Sequence, residues 1–258
     1  MDISKKMITA QEAMRFVKSG MMIVTGLGAA EGRAFLSELH TIAEQVSGVT
    51  VTNCLPMSSP QFYDKAYKHS FYVDGWFYSP SLRKAHANGN ISFIPNHLHL
   101  AGKKRLAHVH TDIYVGACSM PDKHGFVSLS LSNTYEKRVI EEADLVILEI
   151  NPNMPYTYGD VELSLNDVDY VIEVDYPAPE LPDVASTEKD IIIGNMIASY
   201  INDGDCIQLG IGGMPNAVAN ALANKKDLGV QTEMLTTGLM KLAKLGVIHR
   251  KKKQTHQE

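Results

Sequence analysis

Two features of the sequence have residue types and a spacing that could carry out a reaction: Gly210-Ile211-Gly212-Gly213 and, twenty residues after it, Glu233. Glycines let a turn adopt positive φ and let a ligand come close to the backbone. The N–H groups of such a turn, with those that open a following helix, form a ready anion site. A carboxylate beside those amides suits acyl chemistry, attacking a thioester carbonyl while the amides hold the oxyanion. The same residues also fit a bland reading, an ordinary turn and a solvated glutamate. A dinucleotide fingerprint does not fit, because the sixth position from Gly210 is Pro215 rather than Gly or Ala.

The flanking residues must position these groups. Residues 206–209 form an apolar run expected as a strand. Pro215 suits the first turn of a helix, and Ala217, Val218, Ala221 and Leu222 continue it. Gly229 ends that helix, and residues 230–234 are expected to return as a strand. In such a βαβ-type unit ligands bind beyond the carboxyl ends of the strands. The Gly loop and Glu233 therefore belong on one edge.

This segment has a counterpart near the start of the chain. Gly20, Gly26 and Gly28 match Gly204, Gly210 and Gly212 at a constant offset of 184 residues (204 − 20, 210 − 26, 212 − 28). Each copy follows a helical pattern, and each precedes another. Internal repetition of this kind implies two related α/β units in tandem. The second is expected to be incomplete, since 55 residues (204 to 258) stand where about 180 would fill a copy. In the first unit, Thr9-Ala10-Gln11-Glu12 is a capping-box pattern. Ala13, Met14, Phe16 and Val17 give a helical stripe that Gly20 stops. Strands are expected at 21–25, 49–53, 71–74, 91–94, 112–119, 143–150 and 169–174, and helices at 33–46 and 135–142. Three prolines between Tyr176 and Asp183 exclude regular structure. The expected domains are thus 1–176, a linker at 177–186, and 187–258 as the start of a second domain. Its first helix opens at Thr187-Glu188-Lys189-Asp190, with Ile193, Met196, Ile197, Tyr200 and Ile201 as its apolar face.

Apolar content of 45% and charged content of 21% fall in the globular range, and a net charge of −5 gives no footprint for nucleic acid. Cys54, Cys118 and Cys206 are odd in number and far apart, which argues against a disulfide framework and for a reducing compartment, the cytoplasm. No run is apolar enough to span a bilayer and no signal peptide is apparent.

With these motifs in place, the sequence resembles the acetyl-CoA hydrolase/transferase family. The resemblance rests on Gln208-Leu209-Gly210-Ile211-Gly212-Gly213-Met214-Pro215-Asn216-Ala217-Val218 and on Asp227-Leu228-Gly229-Val230-Gln231-Thr232-Glu233-Met234. It rests also on Pro121-Asp122-Lys123-His124-Gly125 and Asn151-Pro152-Asn153-Met154-Pro155-Tyr156-Thr157-Tyr158-Gly159-Asp160. The resemblance implies tandem CoA-transferase-like α/β units with mostly parallel sheets, the second truncated, and an active site between the halves. It implies Glu233 as nucleophile, Gln208, Leu209, Gly210, Ile211 and Gly212 as the CoA-contacting loop, and the Ile211 N–H as an oxyanion donor. Coenzyme A and acyl-CoA would be substrates, with no tightly bound cofactor. The implied activity moves CoA from a short-chain acyl-CoA such as butyryl-CoA to a carboxylate such as acetate, through a glutamyl-CoA thioester. The alternatives are a non-catalytic truncated fragment, a subunit whose partner supplies the missing half, and a thioester hydrolase; a homo-oligomer is also expected.

The sequence departs from the family at Thr237, where Asp is expected before Gly238. His249-Arg250 and Glu258 also look foreign, and Lys251-Lys252-Lys253 reads as a solvated terminus. His97-Leu98-His99 and His108-Val109-His110 would each put two imidazoles on one face of a strand. No acid or thiol is grouped with them in sequence, so no metal site is expected. Cys118 and Cys206 are read as inert core thiols, and Asp122 with His124 as part of a turn.

Overall fold

The computed structural model describes residues 3–249; Arg250, the lysine run and Glu258 lie outside them. The chain divides into two compact units between Glu180 and Leu181. Unit one contains strands β1 (Met22–Thr25), β2 (Val49–Cys54), β3 (Phe71–Phe77), β4 (Ile91–Phe93), β5 (Ile113–Cys118), β6 (Phe126–Ser128), β7 (Leu145–Ile150), β8 (Glu162–Ser164) and β9 (Tyr170–Glu173). Its helices are α1 (Ala10–Ala13), α2 (Arg33–Glu38), α3 (Pro80–Ala85), α4 (Ala101–Leu106) and α5 (Glu136–Glu142). Unit two contains α6 (Glu188–Tyr200), β10 (Cys206–Ile207), α7 (Gly213–Ala221), β11 (Gly229–Val230) and α8 (Thr237–Lys244).

Seven strands of unit one form a parallel sheet in the order β4-β3-β2-β1-β5-β7-β9. Both faces are covered, so its central strands read as unbroken apolar runs. Along β5, Ile113 and Val115 enter the core on one face while Tyr114 and Cys118 enter the core on the other, the two-residue alternation of a pleated strand. β6 and β8 pair separately and antiparallel.

The capping box at the start of α1 forms as its residues require. Thr9 Oγ1 accepts the Glu12 N–H (3.0 Å), and the Glu12 carboxylate accepts the Thr9 N–H (2.7 Å). The helix expected over 33–46 is shorter: α2 stops at Glu38 and a 3-10 turn, Leu39–Ile42, follows. Ser37 Oγ donates to the Ala34 carbonyl and Thr41 Oγ1 to the Glu38 carbonyl, both at 2.7 Å. Such local side-chain bonds compete with the regular ladder.

Repetition is visible in the backbone. Gly20 and Gly204 both have positive φ, +78° and +85°. The Gly20 N–H donates to Ser47 O (2.9 Å), and the Gly204 N–H to Lys226 O (3.0 Å). The Thr50 N–H donates to Met21 O, and the Gly229 N–H to Asp205 O, each at 2.9 Å. The strands of unit two are nonetheless shorter than expected. β10 ends at Ile207 instead of 209, and β11 covers Gly229 and Val230 alone.

The expected apolar face of α6 is a correction. Ile193, Met196, Ile197 and Tyr200 are exposed, and the residues that α6 buries are Gly194 and Ala198. The helix meets α7 through its smallest residues. A Cβ at Gly194 would stand 2.8 Å from the backbone carbonyl carbon of Ala217, so only glycine allows this crossing. Ala198 joins Ile207, Leu209, Val218, Leu222, Leu228, Leu239 and Leu242 in one small core.

Unit one holds an ionisable group at depth. Glu149, on β7, is fully buried, with the Phe35 N–H (2.8 Å) and the Tyr176 O–H (2.6 Å) donating to its oxygens. Burial outweighs these bonds and pushes its pKa from 4.5 up to about 7. Glu31, also fully buried, shifts upward for the same reason. A raised carboxyl pKa means that the folded state keeps a proton the unfolded chain has lost. Glu149's stabilising contribution is therefore complete below pH 4.5 and disappears as the pH rises to 7. Glu149→Gln abolishes that dependence. In urea unfolding across pH, the stability difference is expected to move in the variant's favour by about 3 kcal/mol between pH 4.5 and 8.

Candidate functional site

β10 and β11 run parallel, Cys206 opposite Gly229 and Ile207 opposite Val230. The segments that leave their carboxyl ends therefore emerge on one edge. One carries Gln208 through Gly213 and the other Gln231 through Thr236. The Gln231 N–H donates to Ile207 O (3.0 Å). Beyond it, Thr232 Oγ1 donates to Leu209 O (3.2 Å). That bond holds the residue before Glu233 against the residue before the Gly loop.

Each residue singled out from sequence has a definite place. Gln208 is exposed just past β10, and Leu209 is buried in the small core. Gly210 is exposed, with nothing within 4 Å of where a Cβ would be. Ile211 is 60% exposed. Gly212 caps α7 with φ +121°, a conformation that favours glycine. Glu233 is exposed, in a bend three residues past β11 rather than at the end of a longer strand.

By helix geometry the first N–H groups of α7, those of Gly213 and Met214, have no acceptor inside the helix, and Pro215 has no N–H. The helix dipole adds partial positive charge at the same end. A cavity of about 380 Å³ opens beside this helix start, lined by Asp183, Ile211, Gly212, Asn216, Met234 and Leu235 among others. That volume falls in the range of small-molecule sites. Glu233 stands directly before the cavity wall at Met234. Asn216 Nδ2 donates to Asp183 Oδ1 (2.8 Å) and Val184 O (2.9 Å), and Ser186 Oγ donates to Gly213 O (2.7 Å). The segment preceding α6 is thereby strapped to the first turn of α7. The sequence reading missed Asp183, Ser186 and Asn216. The signal available was an amide side chain in the first turn of a helix that the Gly loop opens.

Unit one contains the matching loop in another state. Leu27 stands 184 positions before Ile211, and its N–H donates to the carboxylate of fully buried Glu136 (2.8 Å). Glu136 also accepts from the N–H groups of Thr134 and Tyr135 and from the Ser132 hydroxyl. The first copy of the Gly loop thus binds an internal carboxylate. Among the described residues no side chain takes the N–H of Ile211.

The histidine expectations are corrected. Neither pair lies on a strand: His97 and His99 flank the start of a 3-10 turn, and His108 and His110 stand in the connection between α4 and β5. Acids do gather at one of them. His110, Asp112 and Asp144 bring their ligand atoms within 4.8 Å of one another. His110 Nε2 pairs with Asp144 (2.8 Å), whose hydrogen bond and charge raise the histidine pKa, and Asp112 already accepts the Met22 N–H (2.6 Å). Asp122 accepts the N–H groups of His124 (2.9 Å) and Phe126 (2.8 Å), so it builds the expected turn. Cys118 is a buried core thiol as expected, whereas Cys206 is half-buried at the start of β10. Among the described residues no helix is long and apolar enough to cross a membrane.

Residues 2–182 match the profile of the acetyl-CoA hydrolase/transferase N-terminal domain. The chain is 34% identical to a 4-hydroxybutyrate coenzyme A transferase of Clostridium kluyveri, across 98% of this chain and 59% of that protein. It is 32% identical to a succinyl-CoA:cyclohexane-1-carboxylate CoA transferase of Geobacter metallireducens, across 98% of this chain and 57% of that protein. The crystal structure of RipA from Yersinia pestis superposes with a TM-score of 0.92 at 26% identity, over 99% of this chain and 63% of that one. The chain therefore spans less than two thirds of the length of these relatives.

The carboxylate held by the first Gly loop is open to a direct test. Glu136→Ala leaves three N–H groups and a hydroxyl without their acceptor and is expected to destabilise unit one by about 3–5 kcal/mol. Added formate, small enough to enter the space left, is expected to restore part of the loss in thermal unfolding.

Proposed function

The chain belongs to the acetyl-CoA hydrolase/transferase family, and we propose that it carries the nucleophile of a CoA-transferase acting between a short-chain acyl-CoA, such as butyryl-CoA, and a carboxylate such as acetate. The supporting observation is the parallel pairing of β10 with β11, which delivers the Gly loop and Glu233 to one edge and ties them through Thr232 and Leu209. The names of the two curated relatives, both CoA transferases with carboxylic acids as acyl groups, support the substrate class.

In this reading a Glu233 oxygen adds to the thioester carbonyl of the acyl-CoA. The developing oxyanion is stabilised by the Ile211 N–H with the amides that open α7. The C–S bond breaks, CoA leaves as thiolate, and a mixed anhydride remains. The thiolate then attacks the glutamyl carbonyl, the anhydride C–O bond breaks, and the original acyl group departs as its carboxylate. The product is a glutamyl-CoA thioester. An acceptor carboxylate repeats the two steps in reverse and restores Glu233. Each step exchanges one anion for another, so no proton and no ATP is consumed. Gln208 to Gly212 contact CoA, and the apolar side chains of Ile211, Met234 and Leu235 accept the acyl or pantetheine chain. Coenzyme A enters as substrate rather than as a resident group. The three free cysteines support work in a reducing compartment, the cytoplasm. The bare face of α6 favours a second reading beside this one, in which the chain acts only with the part that its relatives carry beyond the matched length.

Trapping tests the reading. The chain is exposed to butyryl-CoA, alone and co-expressed with the segment of the Clostridium kluyveri relative that lies beyond the match, and then reduced with borohydride. Peptide mass spectrometry is expected to find the reduced side chain at residue 233. Glu233→Gln is expected to lower CoA transfer to acetate at least about a thousandfold. An unmodified Glu233 in the co-expressed complex overturns the assignment.

A further inference from the structure

Phe77 and Phe93 are the last residues of β3 and β4, and both are more than half exposed, by 53% and 51%. Phenylalanine is among the residues most often fully buried. Here two local features hold the rings at the surface. The pairing of β2 with β3 shifts register, Asn53 standing opposite Gly75 but Cys54 opposite Phe77, so Trp76 is an extra residue. A bulge of this kind re-aims the side chains beside it: Trp76 enters a core and Phe77 is left outside. The second feature is Gly75. A Cβ there would stand 2.4 Å from Tyr78 Cε1, so only glycine lets the Tyr78 ring fold back onto β3. Phe93, opposite Gly75 on β4, meets that ring edge-on with centroids 5.3 Å apart. The His86 ring lies 5.7 Å from it, and Tyr78 Oη and His86 Nδ1 are hydrogen-bonded at 2.9 Å.

These rings enclose a cavity of about 470 Å³, lined by Phe77, Tyr78, Arg83, His86 and Phe93. Its size is that of a small-molecule site, and it opens at the carboxyl ends of two parallel strands, the edge where ligands of such sheets bind. The walls specify what it takes. Aromatic faces and edges suit a flat ring system. Arg83, on α3, and His86, one turn further on, bring polar donors to the same cavity. Among the described residues no carboxylate pairs with Arg83, and no acid lines the cavity. The bond to Tyr78 leaves His86 Nε2 for a ligand. A guanidinium beside an imidazole, with no acid between them, suits an oxyanion, and the guanidinium fork matches phosphate. Volume narrows the choice. A cavity of about 150 Å³ already holds benzene, so a one-ring acid would leave most of this space wet. A purine with its ribose and phosphate would fill it.

We propose that this cavity is a purine-nucleotide site of unit one. The base lies against Phe77, Tyr78 and Phe93, and a phosphate is held by Arg83 and His86. The hydrogen bond between Tyr78 and His86 sets the ring wall and the phosphate donor in one arrangement before the ligand arrives. The site does not depend on the role of Glu233.

The test is calorimetric titration of the chain with AMP, adenosine, inorganic phosphate, benzoate and coenzyme A. AMP is expected to bind one to one, with adenosine at least about tenfold weaker and with no measurable binding of phosphate alone or of benzoate. Phe93→Ser removes one ring and is expected to weaken AMP and adenosine alike, by about tenfold. Arg83→Gln is expected to bring AMP down to the affinity of adenosine and to leave adenosine unchanged. Both alter exposed positions, and circular dichroism checks that the variants stay folded. Glu233→Gln is expected to bind AMP as the parent chain does, so a failure of the catalytic reading registers separately. Displacement of AMP by coenzyme A identifies the nucleotide end of that molecule as the source of the ligand; AMP that coenzyme A does not displace identifies a free nucleotide, and either supports the site. Absence of AMP binding to the folded chain overturns the proposal, as do AMP binding untouched by both variants and benzoate binding as tight as that of AMP.

Discussion

Parallel pairing of Cys206 and Ile207 with Gly229 and Val230 sends both segments out of the sheet in the same direction. An antiparallel return would have placed Glu233 at the opposite edge, far from the glycine turn. The ladder that makes this choice is two residues long, and each of its hydrogen bonds contributes about 1 kcal/mol net. Its register must therefore be held from outside. Leu209, Leu222, Leu228, Leu239 and Leu242 provide that, closing a core beneath the edge. The hydroxyl of Thr232 adds a local tie. A small apolar cluster thus fixes which polar groups meet above it.

The two copies of the glycine turn show how one backbone motif takes different duties. In the first, the Leu27 N–H holds the Glu136 carboxylate inside the protein, and the turn becomes part of the core. In the second, Ile211 is exposed at a cavity and the helix behind it starts immediately, at Gly213. The backbone matches at the start of the preceding strands, at Gly20 and Gly204, and departs in the turn itself, where the Gly26 N–H donates to Val115 O (3.2 Å) and φ is +57° at Gly28 against +121° at Gly212.

Much of this was legible in the residues. Apolar runs gave all seven strands of the large sheet within a few positions, because a strand covered on both faces must be apolar throughout. Capping residues Thr9 and Thr187 marked helix starts, since their hydroxyls have a local task that needs no tertiary contact. The edge placement of Glu233 followed from the order of elements. What failed was whatever depends on partners distant in sequence. The isoleucines of α6 carry an apolar signal, yet Gly194 and Ala198 make the contact, because closeness to α7 selects small residues rather than hydrophobic ones. The group of His110, Asp112 and Asp144 is invisible in sequence because β5 and β7 must first lie side by side. The straps from Asp183 and Ser186 reach about thirty residues ahead, beyond any local pattern.

The three thiols differ in a way that makes the molecule its own instrument. Cys54 and Cys118 are sealed in the core of unit one, where burial pushes both thiols far above the range in which they react, Cys54 to about 12. Cys206 alone is partly open to solvent, and it sits in the strand that leads into the Gly loop. A maleimide dye offered to the native protein therefore has a single address, and the colour or lifetime of that dye would register whatever settles at the loop without an engineered cysteine.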